Sequence, residues 1–346
     1  MTVTPQVQTV LGPVDPSELG RVLPHEHLLS LEPGPFGDSS EITDEDRIAR
    51  AVQALRGLPA LGYRTVVDLS SYGVVGRDAS GQNIRLLPEI ARRSGMHVVA
   101  GTGFYLDSWA PPWSAGMTAA DIGRRLTTDL DEGVGGTTVR AAVIGEQATG
   151  LGELSSTEAS RFRGAADVAA ATGVALFTHT THGTLVDEQL EMLRASGVDL
   201  GRVVIGHVDT QLSIELALEI AGTGANVAID TIGKEHWDFF LGPPTGQPTG
   251  EYEKHAFSRP DRGRADMVAA LVAAGHADRV LLSMDITGAE IWLNESTLGR
   301  YGYAYLHRVF APMLFKRGVT EQQYDAMTIS TPARLLTSRS SRDAGT

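Results

Sequence analysis

"GVALFTHTTHGTLVDEQLEMLRASGVDLGRVVIGHVD", residues 173–209, is the stretch that decides the fold. Its two ends, 173–180 and 202–209, are short runs rich in Val, Ile, Phe and Thr, the composition of strands. Between them, 183–196 spaces Leu, Val and Met at helical intervals with charged residues on the other side. A strand, a helix and a second strand in so short a span make a βαβ unit, in which the strands run parallel. Each of the two strands ends in a histidine, His179 and His207.

The same alternation extends in both directions. Further strands are expected at 21–27, 64–70, 96–103, 139–146, 226–231 and 279–285, with helices at 44–60, 118–131, 155–172, 211–222 and 265–275. Strands this apolar must be covered on both faces, as in a parallel sheet wrapped by helices. Eight such units fit a (β/α)₈ TIM barrel better than an open doubly wound sheet. No G-x-G-x-x-G stands between a strand and a helix, so a dinucleotide site has no support. The chain, 1–346, therefore reads as a single α/β barrel domain with a short N-terminal extension. The segment 235–264, rich in Pro, Gly and charge, is too long for an ordinary connection. It reads as a loop insertion after the seventh strand that could serve as a lid, and 337–346 as a flexible tail.

Composition removes several function classes. There is no cysteine, which excludes disulfides, thiolate ligands and cysteine nucleophiles. A net charge of −13 speaks against nucleic acid and anionic membranes as partners. No apolar stretch has the length of a signal peptide or a membrane span, so a cytoplasmic protein is expected.

Metal-type residues fall at a common place on this scaffold. In "RVLPHEHLLS" (21–30), His25 and His27 share one face of a strand and Glu26 takes the other. Glu146, His179, His207 and Asp285 end the fourth, fifth, sixth and eighth strands. Barrel active sites lie at the C-terminal ends of the strands, so all six residues converge on one mouth. Four histidines and two carboxylates suit two divalent ions, zinc or else manganese or cobalt, bridged by one carboxylate. Such a pair lowers the pKa of a shared water, and Asp285 is the candidate catalytic group that moves its proton. Asp209 is expected to orient a ligand or substrate group, and Asp68 and Asp230 to be structural or supporting residues. His182 reads as a loop residue, and His97, His276 and His307 as packing or surface residues. His236 and His255 lie in the insertion.

The motifs "GPVDPSELGRVLPHEHLL", "GTGFY", "VIGEQATG", "TGVALFTHT", "DLGRVVIGHVD", "NVAIDTIGK" and "RVLLSMD" occur in order over about 8–336. Together they resemble the phosphotriesterase-related branch of the amidohydrolase superfamily. The resemblance implies that His25 and His27 hold a buried metal with Asp285, and that His179 and His207 hold a more exposed one. Phosphotriesterases proper bridge the metals with a carbamylated lysine. The only lysines here are 234, 254 and 316, none near the fourth strand. Glu146 stands where some relatives carry a bridging glutamate. Thr231 stands where phosphotriesterases carry a proton-relay histidine. Both departures speak against organophosphate hydrolysis as the native activity.

Lys234, Arg300, Tyr303 and Tyr105 follow strands at the mouth and are candidate substrate-binding residues, suited to a phosphate or carboxylate. The similar branch includes hydrolases of phosphorylated sugar lactones. The expected function is thus a metal-dependent lactonase or esterase acting on a small sugar lactone, phosphorylated or not. The alternatives are a hydrolase of small N-acyl amides with weak phosphotriesterase side activity, and a non-catalytic binding barrel. The expected partner is a small molecule, and the expected assembly a homodimer.

Overall fold

A computed structural model describes residues 5–29, 42–74, 76–240, 254–286 and 301–337. Eight parallel strands form the central sheet: β1 (Arg21–Glu26), β2 (Tyr63–Asp68), β3 (His97–Thr102), β4 (Val143–Thr149), β5 (Leu176–Thr180), β6 (Val203–Ile205), β7 (Asn226–Ile229) and β8 (Val280–Leu282). Each strand pairs with its neighbours in sequence, so the order runs β8 to β1 without a crossover. The two ends meet through the segment after β8. The Asp285 N–H donates to the His25 carbonyl at 3.1 Å, and the His27 N–H to the Ile286 carbonyl at 3.3 Å. Glu26 completes the closure, accepting from Ser283 Oγ and from the N–H groups of Met284 and Ile286 at 2.8–3.0 Å. The result is a TIM barrel.

Alternation along the strands explains its two apolar layers. Val22, Val67, Val99, Val143, Phe177, Val204, Ala228 and Leu281 form one buried cluster that fills the barrel. Their neighbours Leu23, Val66, Val98, Ile144, Leu176, Val203, Val227 and Val280 point outward, into the larger cluster under the helices. Around the barrel run α1 (Asp44–Leu55), α2 (Leu87–Ser94), α3 (Ala119–Asp131), α4 (Ser156–Thr172), α5 (Val186–Ala195), α6 (Ile214–Gly222) and α7 (Asp261–Ala273). Short helical segments from Gly302 to Leu336 finish the described chain. Thr43 and Thr118 start α1 and α3 with capping boxes, closed by Asp46 and Asp121.

Several boundaries differ from the sequence reading. β4 starts at Val143 rather than 139, and α7 starts at Asp261 rather than 265, inside the expected insertion. The insertion also holds an antiparallel pair, His236–Phe240 with Lys254–Ser258. The N-terminal extension is a small hairpin of Val7–Thr9 with Gly12–Val14. The tail 338–346 lies outside the described residues. Among the described residues no helix is long and apolar enough to cross a membrane.

Candidate metal centre

Simple alternation brings only some of the site residues inward. His179 follows Phe177, and Asp230 follows Ala228, by the ordinary two-residue period. His25 and Glu146 do not fit that parity with the interior residues Val22 and Val143. In β1 the pairing with β2 shifts between Leu23 and Glu26, three residues against two. In β4 the pairing with β5 shifts in the same way between Ile144 and Gln147. Each shift inserts an extra residue, a bulge that turns the following side chains to the other face. Gly145 sits in the second bulge with φ +149°, and a Cβ there would lie 2.7 Å from Phe177 Cβ. His207 and Asp285 are aimed by a different device, left-handed backbone with φ +57° and +49°. Before His207, Gly206 leaves room that no other residue could, because its Cβ would meet the Thr178 carbonyl oxygen at 2.1 Å.

The six side chains then share one buried cluster at the C-terminal end of the barrel. Glu146 Oε1 lies 2.9 Å from His207 Nε2, 3.2 Å from His179 Nδ1 and 3.3 Å from His25 Nε2. Asp285 Oδ1 lies 2.9 Å from His27 Nε2 and 3.5 Å from His25 Nε2. Two groups have donor atoms close enough to hold a metal ion, His25 with His27 and Asp285, and Glu146 with His179 and His207. A third such group is His25, His207 and Asp230. The fit to a divalent cation shows in one atom. His25 Nε2 is buried without a hydrogen bond although two carboxylates face it, and buried polar atoms seldom stay unpaired. With imidazoles and carboxylates and no thiolate, the donor set suits zinc, manganese or cobalt.

Electrostatics within the cluster follow from burial and charge proximity. Burial would lower the His25 pKa, but Glu146 and Asp230 outweigh it and hold it up at about 10. Burial opposes the upward shift of His207 too, where Asp230 prevails. At His179 burial wins and, with His207 beside it, lowers the pKa. Burial would raise Asp285 and Glu146. Lys234 and the histidines instead hold Asp285 well below the usual carboxylate range, and the histidines do the same for Glu146.

The candidate substrate residues are placed unequally. Lys234 reaches the cluster, its Nζ donating to Asp285 Oδ2 at 2.8 Å. The Tyr105 hydroxyl lies 3.3 Å from His179 Nε2. Tyr303 is buried in the core and donates to the Ile286 carbonyl at 3.2 Å, just past β8. Arg300 lies outside the described residues. Asp209 departs from its expected role. Its Oδ2 accepts from the Thr231 N–H and hydroxyl and from Arg264 Nε, between β7 and α7, and no histidine of the cluster bonds to it among the described residues. Asp230 takes the orienting role, lying 2.8 Å from His25 Nδ1 and 3.0 Å from His207 Nδ1. That agrees with its expected supporting role, and which histidines it supports follows from its sharing the inward face of β7 with Ala228. Ser70, 3.1 Å from His27 Nδ1, carried no signal in the sequence. His182 lies in the turn after β5, where its Nδ1 accepts from Arg259 at 2.8 Å.

The chain is similar to known proteins over nearly its whole length. A model of the phosphotriesterase family matches residues 5–336. The phosphotriesterase homology protein of Escherichia coli is 31% identical, over 92% of this chain and 98% of its own. The N-acetyltaurine hydrolase of Rattus norvegicus is 26% identical, over 96% of this chain and 98% of its own. Among solved structures, that of the Escherichia coli protein, complexed with phosphate in the active site, superposes with a TM-score of 0.74 at 30% identity. It covers 92% of this chain and 99% of that one. A structure from work engineering organophosphate hydrolysis on a weak promiscuous lactonase template superposes at 0.78 and 29% identity, over 96% and 99% of the two chains.

Proposed function

The chain belongs to the phosphotriesterase family and is a metal-dependent hydrolase, and we propose that it opens a lactone or ester bond in a small substrate carrying an anionic group. The observation that carries the proposal is the convergence of two ligand groups on Glu146 and Asp285 at one barrel mouth. His25, His27 and Asp285 would hold one divalent cation and His179 and His207 the other, with Glu146 between them. When bound, two such ions, zinc by preference, supply an activated water and a polarised scissile carbonyl.

The chain's own groups do the rest. Asp285, reached by Lys234 on one oxygen and His27 on the other, takes the proton of the attacking water and returns it to the leaving oxygen. Glu146, an unmodified carboxylate, would help hold the cations without carbamylation. Thr231 is tied into the Asp209–Arg264 network, and its hydroxyl does not take up a proton near neutral pH as an imidazole would. Both features favour acyl over phosphotriester chemistry. The Lys234 ammonium at the mouth supplies the charge for a substrate phosphate or carboxylate, with the Tyr105 hydroxyl beside it.

A second reading, hydrolysis of small N-acyl amides, is favoured by the relatives named N-acetyltaurine hydrolase, which span nearly the whole chain. Kinetics of Lys234→Met on zinc-loaded protein, with a phosphorylated lactone, its neutral counterpart and an N-acyl amide, test the proposal. The wild type should cut the phosphorylated lactone best. The variant should lose about ten- to hundredfold in kcat/KM on it, the value of a charge-assisted hydrogen bond, and much less on the neutral lactone. Turnover of the amide alone would establish the second reading. Equal losses on charged and neutral lactones would confine Lys234 to Asp285.

A further inference from the structure

We propose that Asp230 couples the two halves of the metal site by fixing one histidine of each in a single grip. The inference rests on the metal-dependent reading above and adds to it a dependence of one half on the other. Asp230 is fully buried just past β7. Its Oδ2 is 2.8 Å from His25 Nδ1, and its Oδ1 is 3.0 Å from His207 Nδ1. Oδ1 also accepts the His207 backbone N–H at 3.0 Å, which holds that residue in its left-handed conformation. An ionised carboxylate only accepts, so both rings carry their proton on Nδ1 in these bonds. In the neutral ring, the form that binds a metal, the coordinating lone pair is thereby placed on Nε2. Both Nε2 atoms converge on Glu146 Oε1, at 3.3 Å from His25 and 2.9 Å from His207, with ring centroids 5.1 Å apart. His25 belongs to the ligand group with His27 and Asp285, and His207 to the group with Glu146 and His179. One carboxylate therefore sets the tautomer and angle of a histidine in each. Its own position within reach of a metal is explained by these bonds. Both oxygens are engaged with Nδ1 atoms, on the side of the rings away from Glu146, so Asp230 is a positioning residue rather than a ligand.

Asparagine tests the grip because it keeps the shape and offers one carbonyl oxygen and one amide donor. Whichever way the amide sits, it accepts from one ring, and the other ring faces a donor and must carry its proton on Nε2. Apoprotein is titrated with zinc against a chromophoric chelator, for wild type, Asp230→Asn, Asp230→Ala and the control Asp209→Asn. The control removes another buried carboxylate that touches no cluster histidine among the described residues. Wild type should bind two ions. In Asp230→Asn at least one zinc dissociation constant should rise about ten- to hundredfold, the usual effect of losing a residue that orients a ligand. Asp230→Ala should weaken both, and the control neither. Unchanged constants in both Asp230 variants, or equal weakening in the control, would overturn the coupling. A wild type that binds no zinc would overturn the metal reading, and the coupling with it. Should the Asp230 variants fail to fold, histidine ¹⁵N NMR of zinc-loaded wild type decides. Protons on Nδ1 of both His25 and His207 are expected, and a proton on Nε2 of either would contradict the proposal.

Discussion

Asp285 shows how much a single residue is asked to do. Its backbone N–H closes the barrel onto His25, its Oδ1 meets His27 and its Oδ2 meets Lys234, all from a left-handed conformation. Left-handed backbone costs a non-glycine residue of order 1 kcal/mol, and such strain is kept where surrounding contacts enforce it. Asp285→Asn keeps the closing bond and the size of the side chain but cannot take up a proton. Turnover should fall about 10²–10⁴-fold, and the melting temperature should fall with it, because the buried Lys234 ammonium loses its carboxylate partner. Steady-state kinetics and a melt on the same sample check both halves of this statement. A variant that retains most of its rate would place proton transfer on another group.

At the scale of elements, the strands were legible because each carries apolar residues on both faces, and the helices between them because their apolar stripes recur at helical spacing. The six converging residues were legible because strand ends in a barrel share a mouth. The way they are aimed was not. The bulges at Leu23–Glu26 and Ile144–Gln147 leave no mark in the apolar pattern, since they fall where it gives way to polar residues. The role of Asp230 required knowing which face of β7 is inward, and that of Glu26 which segment lies beside it. The antiparallel pair His236–Phe240 and Lys254–Ser258 was hidden by the Pro, Gly and charge between its strands. α2, only eight residues and led in by a 3₁₀ turn, was too short to declare itself by period. The strand interior makes its own prediction. Phe177 is the largest side chain of the apolar cluster inside the barrel and touches the second bulge at Gly145. Phe177→Ala should lower unfolding free energy by about 3–5 kcal/mol, as for other buried aromatic truncations, and denaturant melts would measure it. A loss below about 1 kcal/mol would mean that the barrel interior repacks without a cavity.

The whole molecule balances a net charge of −13 against a core that buries many ionisable groups. One of them lies far from the mouth in function. Asp129, on α3, accepts from Tyr72 and Thr102 under the Arg125 guanidinium, and burial raises its pKa to about 6 despite those donors. A carboxyl with a raised folded pKa favours the fold most below its ordinary value, near 3.8. That contribution is lost as pH rises from there through about 6. Its size is on the order of 3 kcal/mol. Asp129→Asn should flatten this part of the stability-against-pH curve, and an unchanged slope would assign it to other groups. The central claim, however, concerns the mouth of the barrel: His25, His27, Glu146, His179, His207 and Asp285 together hold the ions on which hydrolysis depends. Elemental analysis of the catalytically active wild-type protein tests it most directly. The arrangement predicts about two divalent ions per chain, lost together with activity on chelation. Full activity in protein shown to contain no divalent metal would contradict it.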